Sequence, residues 1–411
     1  MASVERMAEP RRPRILVVDD TVTNRRLLQA ILKKKDYEIL EAADGDAAIE
    51  LIHATRPDLI LLDIMMPRKD GYEVCRELQT DPATRDIPVI FLSAKTLAED
   101  RVKGLEMGAV DYITKPYDRA EILARVHTHI HLRALTESLE LANRDLSLYR
   151  ERAEADLKAA SVIQRSLIPS QGTLDRIAQI DVAWWFSPCQ SIGGDVFNVV
   201  RLDEYHVGIY VIDVSGHGVP SAMVTVSVSQ QLHPQSGVLK EISPMLGAYR
   251  LREPSEVLER LDEQFPLERF GKYFTMAYSV LDLRDGSLKS ARAAHPPSYL
   301  VRKQGGIERI EPAGTLVGLG GLVPFQTDER RLEPGDRLFC YTDGIVEYPN
   351  PAGERFGDAR LREALQTEAG DSLEDLCASV RWAVESFSGE LPPEDDISLL
   401  ALEYRGAANP G

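Results

Sequence analysis

Cysteine is scarce in this 411-residue chain, and long apolar segments are missing. The four cysteines, Cys75, Cys189, Cys340 and Cys377, lie far apart with no CxxC or His/Cys spacing. This spacing argues against a disulfide framework or a zinc site and favours buried, reduced thiols. No stretch approaches the ~20 apolar residues that a membrane span needs, and no apolar run follows the charged N-terminus. We therefore expect a soluble, cytoplasmic protein without a membrane partner.

Positive charge is also in deficit. The chain has 48 lysines and arginines against 65 acidic residues, which gives a net charge of -17 and a pI near 5.0. Such a chain repels a phosphate backbone, so we expect no nucleic-acid partner. No helix-turn-helix or basic patch points to a DNA-binding output either. The length exceeds the ~250 residues at which a single core usually stops growing, so we expect more than one domain.

The first third of the chain alternates short apolar runs with amphipathic stretches. Continuous apolar strands separated by helices predict a parallel sheet covered on both faces. We predict a five-stranded, doubly wound α/β domain over residues 14–130, preceded by a disordered tail over residues 1–13. The predicted strands are RILVVDD, YEILEAA, PDLILLDI, PVIFLSA and DYITKP, and the predicted helices are Asn24–Lys35, Asp46–Thr55, Gly71–Gln79 and Glu99–Met107.

A helical linker is predicted over residues 131–168. Its seam residues follow one another at alternating steps of three and four, as in a coiled coil: Leu132, Leu135, Leu139, Ala142, Leu146, Tyr149, Ala153, Asp156, Ala160, Ile163 and Leu167. A parallel two-stranded coil would make the protein a homodimer. Because several seam residues are small or polar, an amphipathic helix lying on its own domain remains the alternative.

The rest of the chain, residues 169–405, is rich in short strand patterns with Gly-, Asp- and Asn-containing turns. Helical patterns over Pro220–Gln231, Pro254–Phe265 and Leu373–Phe387 are interspersed. This order predicts an α+β domain in which a β-sandwich core is flanked by helices.

Polar residues end four of the five strands predicted in the first domain. Asp19 and Asp20 end the first strand, Asp63 the third, Ser93 the fourth and Lys115 the fifth. The carboxyl ends of parallel strands meet at one edge, where doubly wound domains carry their sites. Crowded carboxylates need a divalent cation, and oxygen-only ligands favour Mg2+. With Mg2+ bound, Asp63 can act as a nucleophile toward phosphorus.

These residues resemble the receiver domain of two-component response regulators. The motif DIMMP begins at Asp63. Lys115 precedes Pro116 in the family's K-P dipeptide, whose proline makes a cis bond. The resemblance implies a cognate histidine kinase as partner and phosphorylation of Asp63. It also implies the following roles: Asp20, Asp63 and the Met65 carbonyl as Mg2+ ligands with Asp19 nearby, and Ser93, Tyr112 and Lys115 as switch residues.

Four acidic motifs stand out in the second half: GGD at Asp195, DVSGHG at Asp213, YTDG at Asp343, and DDIS at Asp395 and Asp396. A hairpin centred on Glu204 would place Asp195 opposite Asp213, with Cβ atoms about 4.5–5.5 Å apart. Facing carboxylates are costly unless cations lie between them. Further aspartates could complete a two-metal oxygen site that activates water toward a phosphate monoester.

The motifs resemble PPM-type (type 2C) serine/threonine phosphatases, in particular the SpoIIE-like branch that acts in partner switching. The segments IQRSLIP, AHPPSYL and YTDGIVE carry the resemblance together with the acids, over residues 155–405. It implies two Mn2+ or Mg2+ ions held by Asp195, Asp213, the Val214 carbonyl, Asp343 and Asp395, with Asp213 bridging them. We favour Asp395 over Asp396 as the last ligand. The chain departs from the family at Ala294, where AGHPP is usual, and at Val196 and Phe197 after GGD.

The sequence thus predicts a response regulator whose receiver controls a metal-dependent Ser/Thr phosphatase. Its expected substrate is a phosphorylated switch protein, such as an anti-sigma factor antagonist. A pseudophosphatase that binds and sequesters its partner is the alternative. His217 and His295 could suggest a general acid, but we favour structural roles for both.

Overall fold

A computed structural model describes residues 11–33, 35–94, 106–169, 174, 177–235, 237–242, 249–367, 372–389 and 391–407. The chain divides into two compact units, Met1–Arg150 and Glu151–Gly411. Each unit is described by itself below. Among the described residues, no helix combines the length and the apolar character needed to cross a membrane.

The first unit contains the predicted parallel five-stranded sheet, with strand order β2-β1-β3-β4-β5. Most of the predicted helix at Glu99–Met107 lies outside the described residues. So does most of the predicted tail, although Arg11 forms an ion pair with Asp58 at 2.8 Å. The elements are β1 (Arg14–Val18), α1 (Val22–Leu32), β2 (Glu38–Ala42), α2 (Gly45–Thr55), β3 (Leu59–Asp63), α3 (Gly71–Thr80), β4 (Val89–Ser93) and β5 (Asp111–Thr114).

Apolar side chains cover both faces of this sheet, as the continuous apolar runs predict. Every residue of β3 and β4 is buried. One face packs on α2 and α3 through Ile52 and Val74, and the other packs on α1 through Leu28. Helix α3 begins with a capping box, because Asp70 and Glu73 each accept the other's backbone N–H. These interactions fix the strand ends where the polar residues lie.

A single 47-residue helix, α4 (Arg119–Arg165), follows β5. It begins twelve residues before the predicted linker and ends before Leu167, the last predicted seam residue. Leu167 instead packs against the core of the second unit. Six large seam residues are 52–71% exposed in the single chain: Leu132, Leu135, Leu139, Leu146, Tyr149 and Ile163. Such a row of exposed apolar residues is what a coiled-coil seam requires, and the coil itself remains a prediction.

The second unit is a sandwich of two antiparallel five-stranded sheets, in the orders β15-β12-β11-β8-β7 and β14-β13-β16-β17-β6. A short β9-β10 pair lies outside them. The strands are β6 (Ile180–Ser187), β7 (Asp195–Arg201), β8 (His206–Val214), β9 (Lys240–Ile242), β10 (Tyr249–Leu251), β11 (Phe274–Asp282), β12 (Ser287–Ala293), β13 (Ser298–Val301), β14 (Ile307–Ile310), β15 (Thr327–Arg331), β16 (Arg337–Tyr341) and β17 (Ile397–Tyr404).

Helices flank the sandwich on both sides, as predicted. The helices are α5 (Val219–Gln231), α6 (Pro254–Gln264), α7 (Leu267–Phe270), α8 (Asp343–Val346), α9 (Gly357–Thr367) and α10 (Leu373–Ser388). The inner faces of the two sheets share one apolar core, which includes Phe197 and Leu400. Helices α5 and α6 pack outside the first sheet, and α9 and α10 outside the second. Helices α7, α8 and α9 were not predicted.

Candidate functional sites

The first candidate site lies at the carboxyl ends of β1, β3 and β5. Oxygen atoms of Asp19, Asp20 and Asp63 lie within 4.8 Å of one another. Asp19 and Asp63 are buried, whereas Asp20 is exposed. The Lys115 ammonium lies 3.0 Å from Asp19 Oδ2 and 2.8 Å from Asp63 Oδ2. The structure therefore brings together the three acids and the lysine that the sequence predicted at this edge.

Burial and charge act in opposite directions on this cluster. Burial raises the pKa of Asp63, and the hydrogen bond and charge of Lys115 offset only part of that rise. Although burial works against the ammonium, hydrogen bonds to Asp63 and Asp19 raise the pKa of Lys115. The lysine is therefore held in its charged form and neutralises part of the acidic charge from inside the protein.

Asn24 also belongs to this site, although sequence reasoning missed it. Its Nδ2 donates to both carboxylate oxygens of Asp19, at 3.1 and 3.0 Å, and the Thr21 N–H donates to Oδ1 at 2.8 Å. These donors fix the orientation of the buried Asp19 carboxylate. The available signal was positional, because Asn24 lies one helical turn beyond the acid pair.

The predicted switch residues lie on neighbouring strands. Ser93 is buried at the end of β4, and Tyr112 is half-buried on β5. The Arg125 guanidinium, on α4, lies 5.5 Å from the centre of the Tyr112 ring and pairs with Asp111 at 2.5 Å. Tyr112 therefore contacts the beginning of the long helix through Arg125.

Two further expectations concern the backbone of this site. The Lys115–Pro116 bond is cis, as the K-P dipeptide implied. Met65 is 64% exposed, and its N–H donates to Asp63 Oδ1 at 3.4 Å. Its backbone therefore adjoins the Asp63 carboxylate.

The second candidate site begins at the β7-β8 hairpin. Asp195 and Asp213 are directly opposed in this antiparallel pair, which confirms the predicted register. The turn is closed by the Leu202 N–H, which donates to the His206 carbonyl at 2.9 Å. Asp195 is buried, and its Oδ2 accepts hydrogen bonds from the buried Thr342 and Ser398 hydroxyls at 2.8 and 2.7 Å. Sequence reasoning missed both hydroxyls, although Thr342 lies within YTDG and Ser398 within DDIS.

The acids of this second site repel one another. Burial, followed by the charges of Asp343 and Asp395, raises the pKa of Asp213 to about 8. Burial and the charge of Asp213 raise the pKa of Asp195, and burial and the charge of Asp395 raise that of Asp343. Partial burial of its carboxylate, together with the charge of Asp396, raises the pKa of Asp395. Each carboxylate is therefore costly to ionise until cations arrive.

The neighbouring acids of the DDIS motif have different environments. Asp396 is buried, and its carboxylate accepts N–H groups of Gly194 at 2.6 Å and Cys189 at 2.9 Å. Asp395 is exposed at the surface of the site. Asp396 therefore holds the backbone before Asp195, whereas Asp395 is accessible to a ligand.

Glycines let these backbone segments approach closely. A Cβ at Gly194 would lie 2.5 Å from the Val214 carbonyl oxygen, and a Cβ at Gly193 would overlap the Asp396 carboxylate. A Cβ at Gly344 would overlap the Asp396 carbonyl oxygen. The glycines of GGD and YTDG are therefore required by close packing.

The two sites differ in how tightly their acids cluster. In the described part of the chain, Asp19, Asp20 and Asp63 form the only group of three acids whose carboxylate oxygens lie within 4.8 Å of one another. The acids of the second site are spread more widely, although their charges act on one another. Two ions about 3.5–4 Å apart need ligands around both of them, so a wider spread suits a two-metal site.

Gln164 is a further residue of the second site that sequence reasoning missed. It lies in the last turn of α4 and is buried. Its side-chain Nε2 donates to the Gly193 carbonyl at 2.7 Å, and its Oε1 accepts the Gly193 N–H at 3.1 Å. The end of the long helix therefore holds the residue two positions before Asp195. A buried glutamine inside IQRSLIP was the available signal.

The histidines and the AAHPP departure have structural environments. His295 is buried, and its Nδ1 lies 2.7 Å from the Thr275 hydroxyl; burial lowers the pKa of His295 to about 3. It is therefore neutral, which fits a structural histidine. His217 is exposed beside the acids, and its role stays a prediction. Ala294 has a φ of 50°, in the left-handed region, so its methyl group strains this turn.

Comparisons with known proteins find matches in both halves of the chain. Residues 15–127 match the family model of the response regulator receiver domain, and residues 203–405 match that of stage II sporulation protein E (SpoIIE). The response regulator PleD from Caulobacter vibrioides is 46% identical over 126 residues, which are 31% of this chain and 28% of PleD. The chain thus spans less than a third of the length of the curated relatives that it matches first.

Solved structures resemble the second unit. The SiaA-PP2C domain of Pseudomonas aeruginosa has a TM-score of 0.53 at 22% identity, covers 62% of this chain and is itself 98% covered, which shows a shared fold. The PP2C phosphatase domain of SpoIIE from Bacillus subtilis, solved with a fragment of its regulatory domain, has a TM-score of 0.45 at 16% identity and covers 55% of this chain and 63% of that one. The chain therefore joins a segment that matches the response regulator receiver domain to a segment that matches the SpoIIE family.

Proposed function

We propose that this protein is a cytoplasmic response regulator in which phosphorylation of Asp63 controls a metal-dependent protein serine/threonine phosphatase. A histidine kinase would supply the phosphoryl group. The substrate would be a phosphoserine or phosphothreonine protein, such as an anti-sigma factor antagonist. One observation supports the proposal above others: Asp195 and Asp213 oppose each other on adjacent strands, and burial together with further aspartates raises the pKa of Asp213 to about 8.

The phosphatase site has a donor set that suits two Mn2+ or Mg2+ ions. Its candidate ligands are all oxygen atoms, which these hard cations prefer: Asp195, Asp213, the Val214 carbonyl, Asp343 and Asp395. When bound, the two ions would lower the pKa of a water molecule and neutralise charge on a phosphate ester. The raised pKa values of the acids support this assignment, because burial and mutual repulsion raise them and bound cations would favour the charged forms.

The protein's own groups would prepare the phosphatase site. Thr342 and Ser398 orient the Asp195 carboxylate through its Oδ2 atom. Asp396 holds the Gly194 N–H, so that the GGD segment keeps its place beside β8. Preorganised ligands of this kind need no rearrangement when the substrate binds.

The receiver site would accept phosphate on Asp63. Asp20, Asp63 and the Met65 carbonyl would hold Mg2+, with Asp19 beside them. Lys115 lies 2.8 Å from Asp63 and can neutralise charge on a transferring phosphoryl oxygen. Ser93 would then hydrogen-bond the phosphoryl group, and Tyr112 would follow it inward. Because Arg125 on α4 covers the Tyr112 ring, such a movement would reach the long helix.

The domain boundaries and the oligomeric state are also part of the proposal. We assign residues 14–130 to the receiver, 131–168 to a coiled-coil linker and 169–405 to the phosphatase domain. The exposed seam of α4 would pair with a second copy and form a homodimer. Gln164 in the last turn of α4 would then pass a change in the coil to the GGD segment.

The activity is tested by incubating the full chain with Mn2+ and a phosphoserine protein. We expect release of phosphate by the unaltered chain and its loss in Asp213→Asn. Equal results for the two chains, with no metal-dependent release, would contradict the proposal. They would instead favour the pseudophosphatase, which predicts partner binding that survives Asp213→Asn.

Control by the receiver is tested separately. Turnover of the full chain is compared with and without an acyl-phosphate mimic at Asp63, with Asp63→Asn as the control. We expect the mimic to change the rate in the unaltered chain only. Equal rates with and without the mimic would rule out coupling.

A further inference from the structure

Lys272, just before β11, lies against the metal-binding loop of the phosphatase domain. Its Nζ donates to the Ser215 carbonyl at 2.7 Å, and Ser215 lies two residues after Asp213 in DVSGHG. Consecutive Cα atoms are 3.8 Å apart, so the Cα atoms of Ser215 and Asp213 are separated by about 7 Å at most. The ammonium therefore contacts the loop that follows Asp213.

Backbone hydrogen bonds fix the position of Lys272 relative to the acids. The Ser215 N–H donates to the Tyr273 carbonyl at 3.0 Å, and the Tyr273 N–H donates to Ser215 Oγ at 3.3 Å. Two residues further along, Thr275 pairs with Asp213 in the β8-β11 ladder. Lys272 is thus held at a set distance from Asp213 by the sheet itself.

The loop leaves one face of the ammonium uncovered by side chains of its own. Gly216 has a φ of 74°, and a Cβ built on it would lie 3.1 Å from Lys272 Nζ. Any other residue at position 216 would therefore place a side chain against the ammonium. An ammonium group has three N–H donors, and the contact with Ser215 uses one of them. Donors thus remain for a ligand on this side of the loop.

The chemistry of the substrate calls for such a group. The side chains that act electrostatically on Asp213 and Asp343 are acidic, namely Asp395, Asp396 and Glu347 together with the two acids themselves. A phosphate monoester is an anion and would be repelled by any acidic charge that the cations leave uncompensated. A fixed ammonium at the rim would attract the ester and orient it.

We propose that Lys272 binds the phosphate group of the substrate and positions it at the acids. This inference rests on the proposed phosphatase function and adds to it the residue that recognises the phosphate. The substrate class follows: phosphate monoesters bind through their oxygens at Lys272, whether they are carried by a protein or by a small molecule. A purely structural lysine would instead hold the Ser215 loop and leave phosphate affinity unchanged.

The chain offers a matched control for Lys272. Lys240 is equally half-buried in the same domain, and its Nζ also donates to a backbone carbonyl, that of Leu202. Leu202 lies in the turn at the opposite end of the β7-β8 hairpin from Asp195 and Asp213. Replacing each lysine by methionine removes the same charge and the same type of hydrogen bond.

The test uses the full chain with Mn2+ and three variants, Lys272→Met, Lys272→Arg and Lys240→Met. Steady-state hydrolysis of a phosphoserine peptide gives KM and kcat, and inhibition by inorganic phosphate gives its Ki. A second readout, independent of turnover, is the rise in melting temperature that inorganic phosphate produces. We expect Lys272→Met to raise KM and Ki by about tenfold, the typical effect of one charge-assisted hydrogen bond, and to reduce the phosphate-dependent rise.

Lys272→Arg keeps the positive charge, so we expect it to restore most of the phosphate affinity. Lys240→Met should leave KM and Ki unchanged. The inference is overturned if Lys272→Met changes the melting temperature but neither KM nor Ki, or if Lys240→Met has the same effect. Failure of the phosphatase function itself would look different, because the unaltered chain would then release no phosphate.

Discussion

The two acidic sites of this chain solve the same electrostatic problem in different ways. In the receiver, Lys115 lies within 3.0 Å of both buried acids and supplies a permanent positive charge. In the phosphatase domain, the charges that act on Asp213 are those of Asp343, Asp395 and Asp396, which are all negative. The first site is partly neutralised by the protein, whereas the second would need cations from solution to be neutralised.

Because of this difference, we expect the two sites to respond differently to metal ions. In the receiver, the Lys115 ammonium compensates part of the charge of the buried acids. The phosphatase acids can avoid their repulsion without cations only by binding protons, and the pKa of Asp213 near 8 expresses that preference. Four substitutions test the comparison.

The largest effect is expected for Lys115→Met. This substitution leaves the carboxylates of Asp19 and Asp63 buried without the Lys115 ammonium. Removing one partner of a buried ion pair costs about 3 kcal/mol. We expect the unfolding free energy of the receiver to fall by this amount without Mg2+ and to recover partly when Mg2+ is added. Denaturant unfolding of the full chain, followed by hydrogen exchange of β1 and β3, measures it.

The matched control is Lys69→Met. Lys69 also contacts two acids, Asp46 at 3.3 Å and Glu77 at 2.8 Å, but both acids are about half exposed. Surface pairs of this kind contribute less than about 1 kcal/mol. Equal losses for the two lysines would show that Lys115 is not a compensating charge.

The second effect is expected for Asp213→Asn in the metal-free protein. Because the pKa of Asp213 is raised to about 8 in the folded state, that state holds a proton which the unfolded chain loses near its ordinary pKa of 3.8. Stability therefore falls as pH rises between these values. We expect asparagine to stabilise the phosphatase domain by about 2 kcal/mol at pH 8, and the gain to shrink toward pH 4.

Asp203→Asn provides the opposite case. Although burial works the other way, hydrogen bonds from Tyr205 and His206 lower the pKa of Asp203. The charged Asp203 carboxylate therefore stabilises the fold at neutral pH, and this stabilisation is lost in acid. Asparagine at this position should destabilise the domain. Thermal melts of both variants between pH 4 and pH 8, in chelator, measure the two signs. A shared sign would contradict the comparison.

The third effect concerns Gln164→Ala. Losing both hydrogen bonds to Gly193 frees the segment before Asp195. We expect the Mn2+ concentration for half-maximal activity to rise and kcat/KM to fall about tenfold, or about 1.4 kcal/mol. Ser161→Ala, which removes an intrahelical bond to Lys158, should change neither. An unchanged Mn2+ requirement in Gln164→Ala would show that the contacts at the end of α4 do not support the metal site.

The smallest effect is expected for Ala294→Gly. The φ of 50° at Ala294 favours glycine, and relieving this strain should stabilise the phosphatase domain by about 0.5–1 kcal/mol. Differential scanning calorimetry measures the change. A loss of stability would mean that the alanine methyl makes packing contacts which outweigh the strain.

The sequence allowed much of the fold to be predicted, because periodicity reports burial. Both faces of β3 are buried, as its apolar run predicted, and the Asp195–Asp213 register followed from hairpin length alone. Helix α9 was missed, because the segment after YTDGIVE has few apolar residues between its charges.

The candidate sites were less predictable wherever a residue acts through tertiary contacts. Gln164, Thr342 and Ser398 lie within IQRSLIP, YTDG and DDIS, but each bonds to a group far away in sequence, so the motifs do not reveal these contacts. Asn24 lies close to Asp19 in sequence but outside the quoted motifs. Leu167 continued the heptad pattern but lies beyond the helix, where it packs on the second unit. Periodicity alone could not show where the helix ends.

The close contacts of Asp396 affect how mutations at this site combine. Three motif glycines lie against Asp396: Gly193 packs on its carboxylate, Gly344 packs on its carbonyl oxygen, and the Gly194 N–H donates to its carboxylate. A methyl group on Gly193 would collide with the carboxylate itself, so shortening or removing the Asp396 side chain would make room for it. The harm done by each substitution should therefore depend on the other, and a lineage that lost one of these residues could tolerate exchanges at its neighbour that are forbidden here.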